Sequence, residues 1–459
     1  MAELKKNDIY TVEITGYSSE GAGVARIEGV VVFVKNALMG EVCRVKILKV
    51  NKSIAYGKIE EILQPSSHRQ VPSCNVFGKC GGCDFLHMDY EEELRFKRQR
   101  VQDALRKLGG LSLEVEGILG ARQQDSYRNK VIYAVGEENG KPTVGFFRER
   151  SHQVIPSGDC CIQTDFSRRA GRAVTAWMEK HRVKPFDSLA KKGEIRHVFS
   201  RFAFGTGEGQ VTLVSYKENL PALSELVENI RKNCPETKSI VLNINKTPGN
   251  TVLSGKFETL WGTDTIEDTL CGMRFALSPR SFYQVNRAQT EILYETAVQF
   301  ADLTGEETVV DLYCGIGTIT LCLAKKVKKV YGAEIVEQAI LDAKENAKRN
   351  GIKNAEFFCA DASDAAKKFE KEGLRPDVIT VDPPRKGLST DVIDCITKMA
   401  PKRVVYVSCD PGTLGRDLKL FSQQGYETRR AVAVDMFPRT RHVETVALLS
   451  RETAADSNG

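Results

Sequence analysis

The sequence predicts a multidomain protein: an N-terminal OB-like β-barrel, a central α+β segment with a Cys-ligated cluster, and a C-terminal doubly wound α/β domain. Three observations predict it. Residues 1–64 alternate apolar and polar positions between Gly-rich breaks. Cys74, Cys80 and Cys83 crowd into one short glycine-rich stretch. From about residue 280 the pattern becomes strand, loop, helix, repeated, which is how a parallel sheet is written. The chain's 459 residues are too many for one ordinary core, so several domains are expected.

Composition narrows the class. Hydrophobic residues make up 41% and charged residues 27%, as in folded soluble proteins. The longest apolar runs, such as Val30 to Val34, are far too short to span a bilayer. The stretch Met1 to Lys6 has no apolar signal core, so a cytosolic (cytoplasmic) location is expected. A net charge of +6 is modest and does not by itself demand a nucleic-acid partner. The 13 cysteines are an odd number. In such a chain they point to metal ligands or catalysts rather than a disulfide framework.

In the barrel, Tyr10 to Ile14, Gly29 to Val34, Glu41 to Val50 and Ala55 to Ile62 read as strands, and Gly16 to Gly23 as a loop. Short strands at this spacing suit a small barrel of the kind that binds oligonucleotides. Gly21-x-Gly23-Val24-Ala25 followed by Val31-Val32-Phe33-Val34 resembles a TRAM domain, an RNA-binding barrel.

Cys74-x5-Cys80-x2-Cys83 follows, with Gly78, Gly81 and Gly82 between the thiols. Glycines let backbone wrap closely around a compact object. Thiolates packed this densely need a soft metal partner, with Cys160 or Cys161 as source of a fourth. Four thiolates suit zinc or a [4Fe–4S] cluster. The spacing departs from the C-x2-C pairs of zinc sites, which favours the cluster. It also departs from the radical S-adenosylmethionine pattern.

Residues 94–130 carry Arg95, Lys97, Arg98, Arg100, Arg106, Lys107, Arg122, Arg128 and Lys130 against Asp103, Glu114, Glu116 and Asp125. The local charge is about +5, much of it on a helix expected over Tyr90 to Lys107. Tyr127-Arg128-Asn129-Lys130 opens the next strand, and Gly145-Phe146-Phe147-Arg148 sets rings beside cations. Cations for phosphates and rings for stacking are what RNA binding needs. Residues 166 to about 270 read as α+β. Helices are expected at 166–181 and 221–233, and strands at 195–204, 210–216 and 239–245. The tail from Arg451 is polar and expected to fray.

The C-terminal domain carries the chemistry. Thr308 to Tyr313 reads as a strand, Cys314 to Thr318 as a Gly-rich turn, and Ile319 to Lys325 as a helix. Lys329 to Glu334 is the next strand, ending in an acid. Glycines admit a ligand to the backbone, and the acid can accept both ribose hydroxyls. The third glycine of a dinucleotide site is missing, so S-adenosylmethionine is favoured over NAD. Asp377 to Asp382 is a further strand, stopped by Pro383-Pro384. Arg403 to Val407 is a buried strand, Asp410-Pro411-Gly412 a turn, and a helix is expected from near Thr413 with Leu414, Leu418 and Phe421 on one face. Cys409 thus falls between strand and helix, where a helix N-terminus favours a thiolate.

The stretches Asp311-Leu312-Tyr313-Cys314-Gly315-Ile316-Gly317, Asp382-Pro383-Pro384-Arg385-Lys386-Gly387, Ser408-Cys409-Asp410-Pro411-x-Thr413-x-x-Arg416-Asp417 and Phe437-Pro438-x-Thr440-x-His442-Val443-Glu444 resemble the RNA uracil-5-methyltransferase family. Phe282-Tyr283-Gln284-Val285-Asn286 is similar to that family's motif before the sheet. The resemblance covers nearly the whole chain. It implies Cys409 as nucleophile and Glu444 as general base. It implies Gln284, Tyr313, Thr318, Glu334, Asp361 and Asp382 around S-adenosylmethionine, with Thr318 standing where some members have Asn. It implies Cys74, Cys80, Cys83 and Cys160 as ligands of a [4Fe–4S] cluster. The domain plan becomes 1–64, TRAM-like RNA-binding barrel; 65–278, central RNA-binding and iron–sulfur domain; 279–459, methyltransferase domain.

The chemistry can be reached independently. C5 of uracil is a poor nucleophile, and the methyl donor is an electrophilic sulfonium. A thiolate added to C6 makes the ring an enolate with electron density at C5. After C5 takes the methyl, its proton must leave so that the thiolate is expelled. A uracil inside a stem cannot reach Cys409, so a loop or flipped base is needed. The barrel and cluster resemble the ribosomal branch of the family, and that resemblance implies 23S ribosomal RNA as the partner. The same chemistry on a tRNA uridine is the alternative, and a non-catalytic RNA-binding assembly factor a further one. A monomer is expected.

Overall fold

The computed structural model describes residues 4–149, 151–247, 249 and 251–451. The polar tail beyond Arg451 lies outside the described residues. Among the described residues no helix is long and apolar enough to cross a membrane.

The N-terminal strands are β1 (Ile9–Glu13), β2 (Gly16–Tyr17), β3 (Gly23–Ile27), β4 (Val30–Lys35), β5 (Val42–Val50) and β6 (Ile54–Gln64), in the order β1-β5-β6-β4-β3-β2. The Ile14 N–H donates to the Glu41 carbonyl at 2.9 Å and the Thr15 N–H to the Val24 carbonyl at 2.8 Å. These bonds tie the β1 side to the β3 side and close the barrel. Alternation buries Val32, Val34, Val45 and Ile47. The loop expected over Gly16 to Gly23 is corrected. Its ends pair, Gly16 opposite Val24 and Tyr17 opposite Gly23, because Gly21 at φ +81° turns the chain back on itself.

Next come α1 (Tyr90–Lys107), β7 (Ile118–Leu119), β8 (Lys130–Glu138), β9 (Lys141–Phe147), β10 (Val154–Pro156), α2 (Asp165–His181), β11 (Ile195–Ala203), β12 (Glu208–Ser215), α3 (Leu223–Asn233), β13 (Thr237–Ile244) and β14 (Lys256–Gly262). One sheet runs β10-β9-β8-β11-β12-β13-β14. Val174 and Trp177 of α2 and Leu226 and Ile230 of α3 bury against Val198, Val211 and Leu213. The expected helices and strands of this segment are present within a few residues. β14 is not among the expected strands: it is a largely exposed edge strand of which Leu260 and Trp261 pack on the core.

The C-terminal part has the hairpin β15 (Ile266–Leu270) and β16 (Met273–Leu277), then α4 (Arg287–Ala301), β17 (Thr308–Leu312), α5 (Thr318–Ala324), β18 (Lys329–Glu334), α6 (Glu337–Arg349), β19 (Ala355–Cys359), α7 (Ala362–Lys371), β20 (Val378–Val381), α8 (Thr390–Met399), β21 (Arg403–Ser408), α9 (Pro411–Ser422), β22 (Tyr426–Val434) and β23 (Glu444–Arg451). The sheet order is β19-β18-β17-β20-β21-β23-β22-β7. β17 to β21 pair in parallel, and β23 runs antiparallel between β21 and β22. This is the expected Rossmann-like domain.

Sheet membership and chain order part company at α1 and β7. β7 pairs in parallel with β22. Val101 and Leu105 of α1 join the core that holds Leu414, Leu418 and Phe421 of α9. The helices meet closely at Gly415, where a Cβ would lie 2.7 Å from the Ala104 carbonyl oxygen. A segment the domain plan put in residues 65–278 thus packs with the methyltransferase sheet. Local pattern shows that α1 has an apolar stripe; it does not show which core receives it.

Candidate active site

The Gly-rich turn after β17 is anchored from below. Asp311 is buried and accepts hydroxyl bonds from Thr320 at 2.5 Å and Thr380 at 2.7 Å. Burial pushes its carboxyl up to about 6. Above it Tyr313, Gly315 and Gly317 all have positive φ, of 68°, 56° and 84°. At Gly317 a Cβ would also press on Ala343 and Phe357 at 3.3 Å, so glycine is needed twice over. Glu334 ends β18 and accepts from the Gly315 N–H at 3.2 Å and the Val336 N–H at 3.0 Å. Asp361 caps α7 through the Ser363 N–H at 2.9 Å.

These groups face a cavity of about 1100 Å³ at the carboxyl ends of the strands, lined by Gln284, Tyr313, Glu334, Asp361, Asp382, Cys409 and Glu444 among others. The structure therefore brings together seven residues that the sequence scattered over some 160 positions of chain. Thr318 is set apart. It opens α5, its hydroxyl pairs with the Tyr294 hydroxyl at 3.0 Å, and it lines a small recess of about 30 Å³ shared with Gln284, Tyr313 and Asp382.

Cys409 sits between β21 and α9, as expected, but α9 begins at Pro411 rather than near Thr413. The expectation of a thiolate favoured by the helix end is corrected. Asp410 is the N-cap and takes the Thr413 N–H at 2.9 Å. The helix terminus is already answered by a carboxylate. Burial, then the nearby Glu444 and Asp382, push the Cys409 thiol up to about 12, and Arg385 opposes them. Glu444, at the start of β23, is itself buried, and burial with Asp382 raises its carboxyl to about 8. Burial and then Asp311 raise Asp382 to about 7. These three groups lean on one another electrostatically and present their polar atoms to the cavity.

The Pro383 to Ser389 loop that carries Arg385 is held by the Arg416–Asp417 pair. The Leu388 N–H and the Tyr406 hydroxyl donate to Asp417 at 2.8 and 2.7 Å, and Arg416 donates to the Lys386 and Leu388 carbonyls. Arg385, Phe437, Thr440 and His442 belong to the sequence motifs without a role assigned by them. The structure lines the cavity with all four. Arg385 is the cation that offsets the acids, a role visible only once the acids converge.

Cys74, Cys80, Cys83, Cys160 and Cys161 line a second cavity, of about 650 Å³. Burial raises the Cys83 thiol, and its neighbours Cys160, Cys161, Cys80 and Cys74 add to the rise. Among the described residues no three His, Cys, Asp or Glu side chains are grouped as one metal ion would need. Thiols are the donor type a soft metal takes. Cys160 and Cys161 both face this cavity. It meets the active site at Gly82 and Arg128, which line both.

Much of the charge on α1 is not a free RNA-binding face. Lys97 is fully buried, with Nζ 2.6 Å from both Glu93 and Asp435 and 3.1 Å from the Phe437 carbonyl. Arg98 donates to the Val115 carbonyl and Arg100 to the Arg441 carbonyl. These cations hold backbone and buried acids together, which composition cannot distinguish from phosphate contact.

Comparison with known proteins agrees with this architecture. The model of the tRNA (uracil-5-)-methyltransferase family matches residues 89–452, and that of the TRAM domain residues 3–59. A protein of Listeria innocua named as an RNA methyltransferase is 45% identical over 447 residues, covering 97% of this chain and 98% of its own. One of Clostridium tetani, named likewise, is 43% identical over 447 residues, covering 97% of each. The crystal structure of Pyrococcus abyssi tRNA (uracil-54, C5)-methyltransferase with S-adenosyl-L-homocysteine superposes with a TM-score of 0.77 at 27% identity, covering 96% of this chain and 99% of that one.

Proposed function

The chain belongs to the tRNA (uracil-5-)-methyltransferase family and is an S-adenosylmethionine-dependent RNA methyltransferase; from that premise we propose that it methylates C5 of a specific uridine in 23S ribosomal RNA through a transient bond from Cys409 Sγ to C6. One observation carries the reading: the Cys409 thiol and the Glu444 and Asp382 carboxyls face one cavity whose other end holds Tyr313, Glu334 and Asp361.

S-adenosylmethionine, consumed as co-substrate, supplies the electrophilic methyl. Glu334 and Asp361 offer carboxylates to a ribose and base, with Gln284 and Tyr313 beside them. Cys409 gives up its thiol proton to solvent and adds to C6 as the thiolate, with Arg385, the cation that counters the nearby acids, as positive charge near the anionic ring. C5 then attacks the sulfonium methyl, and S-adenosylhomocysteine leaves with the C–S electron pair. Glu444 accepts the C5 proton, C5=C6 re-forms, and the electron pair of the C6–S bond returns to Cys409. Burial of Glu444 sets its affinity for that proton near neutrality, which suits a base.

The barrel together with the cysteine cavity supports ribosomal RNA as the substrate. tRNA is the second reading, favoured by the substrate named for the Pyrococcus abyssi structure. Incubating the purified enzyme with 23S ribosomal RNA and with tRNA, then mapping 5-methyluridine, decides between them. Methylation of tRNA alone overturns the first reading.

The cysteine cavity is proposed to hold a structural [4Fe–4S] cluster on Cys74, Cys80, Cys83 and Cys160. Cys80→Ser is expected to lower the yield of soluble, brown protein. A colourless Cys80→Ser preparation that folds and turns over normally rules the cluster's structural role out.

A further inference from the structure

Glu444 opens β23 directly after a loop, residues 435–443, that also sends Phe437, Thr440 and His442 to the cavity. Many bonds that hold this loop come from outside the sheet it crosses. At Arg439 the backbone has φ +70°, the left-handed region. A residue with a side chain stays there only when its surroundings over-determine it. They do so from both sides. The Arg439 N–H donates to Glu93 Oε1 at 2.7 Å. Its carbonyl accepts from the Asp84 N–H at 2.8 Å and the Phe85 N–H at 3.1 Å. Two residues on, the Arg441 N–H and guanidinium each donate to the Asp84 carboxylate at 3.0 Å. Glu20 of the barrel pairs with Arg441 Nε at 3.0 Å, and Arg100 holds the Arg441 carbonyl at 2.7 Å. Asp84 is the residue after Cys83. Barrel, cysteine hairpin and α1 therefore converge on the segment that aims Glu444.

We propose that Asp84 is a positioning residue for the general base, acting through Arg441. The proposal rests on Glu444 being that base. Cys409 is carried by β21 and α9, which Asp84 does not touch. Attack on C6 and methyl transfer to C5 therefore depend on Asp84 less than proton removal does. In that step the C5–H bond breaks toward Glu444, its electron pair forms C5=C6, and the C6–S pair returns to sulfur. A carboxylate displaced by about 1 Å loses on the order of 100-fold in such a transfer.

The test uses the full-length enzyme and an RNA that the wild type methylates. Single-turnover methyl incorporation and decay of the denaturant-resistant protein–RNA adduct are followed separately. Asp84→Ala is expected to incorporate methyl within about twofold of wild type, while adduct decay slows about 10- to 100-fold. Asp84→Asn keeps one acceptor for Arg441 and is expected to fall between; if the alanine variant does not fold, the asparagine variant decides by the same ratio. Normal adduct decay, or equal loss in both steps, overturns the proposal. Glu444→Gln is run alongside. If it accumulates adduct and neither Asp84 variant does, only the Asp84 role fails. If it turns over normally, the base assignment fails and this role with it.

Discussion

Two buried clusters of charge flank the 435–443 loop, and they are built oppositely. On one side Lys97 is closed in by Glu93, Asp435 and the Phe437 carbonyl, all within 3.1 Å, and Tyr90 donates to Asp435 at 2.7 Å. Every donor of the ammonium is used. On the other side Cys409, Glu444 and Asp382 line one cavity, and burial with neighbouring acids raises the proton affinity of each: Glu444 and Asp382 act on Cys409, Asp382 on Glu444, and Asp311 on Asp382. The first arrangement pairs its buried cation fully, as a stable fold requires, although burial still raises Glu93 to about 7. The second costs stability and is kept where chemistry is done. Burial alone did not separate them; the partners did.

The comparison breaks first at Cys409. Cys409→Ala should lose on the order of 10⁴-fold or more in methyl transfer, since the covalent route is gone. It should fold normally and still bind RNA. Methylation at the wild-type rate, measured with labelled methyl donor, would sink the covalent route.

Lys97→Met probes the closed cluster. It leaves Glu93 and Asp435 buried without their cation, so unfolding should become easier by about 4 kcal/mol. Chemical denaturation reads this directly. A change under about 1 kcal/mol would mean that the network is not what holds α1 to the loop.

The last effect depends on pH and vanishes in acid. The Glu444 carboxyl is held near 8, above the ordinary 4.5. Its neutral form is the one the fold prefers. That contribution is whole below about pH 4.5 and is lost as pH rises through 8. At about 1.4 kcal/mol for each pH unit between the two values, the loss reaches at most about 5 kcal/mol. Glu444→Gln removes it. The variant should melt close to wild type at pH 5 and several degrees above it at pH 9. Equal differences at both pH values would place Glu444 in a solvated setting and remove its kinship with Asp382 and Cys409.

Some of this was legible early. The 18-residue helix Tyr90–Lys107 and the strand Lys329–Glu334 stand where the apolar spacing put them. So does the Leu414, Leu418, Phe421 face of α9, fully buried. Period and turn residues are local properties, and they reported local structure. The protonation of Cys409 was misjudged because the helix end was visible and its competitor Asp410, with Glu444 and Asp382, was not yet in place. The surroundings of α1 are hidden from the sequence for a related reason. Composition counts cations; it does not show that Lys97, Arg98 and Arg100 are already engaged with acids and carbonyls.

The sequence alone determined which residues could do chemistry: a cysteine between strand and helix, an acid closing the second parallel strand, thiols too crowded to be solitary. Those are matters of residue type and near spacing, and a few neighbours suffice to decide them. The tertiary structure alone decided what each group is charged like and what holds it still. Asp84 meets Arg441 across 357 positions of chain, and Lys97 meets Asp435 across 338. Proton affinity and position depend on such partners through desolvation and Coulomb interaction, and those act through space rather than along the chain.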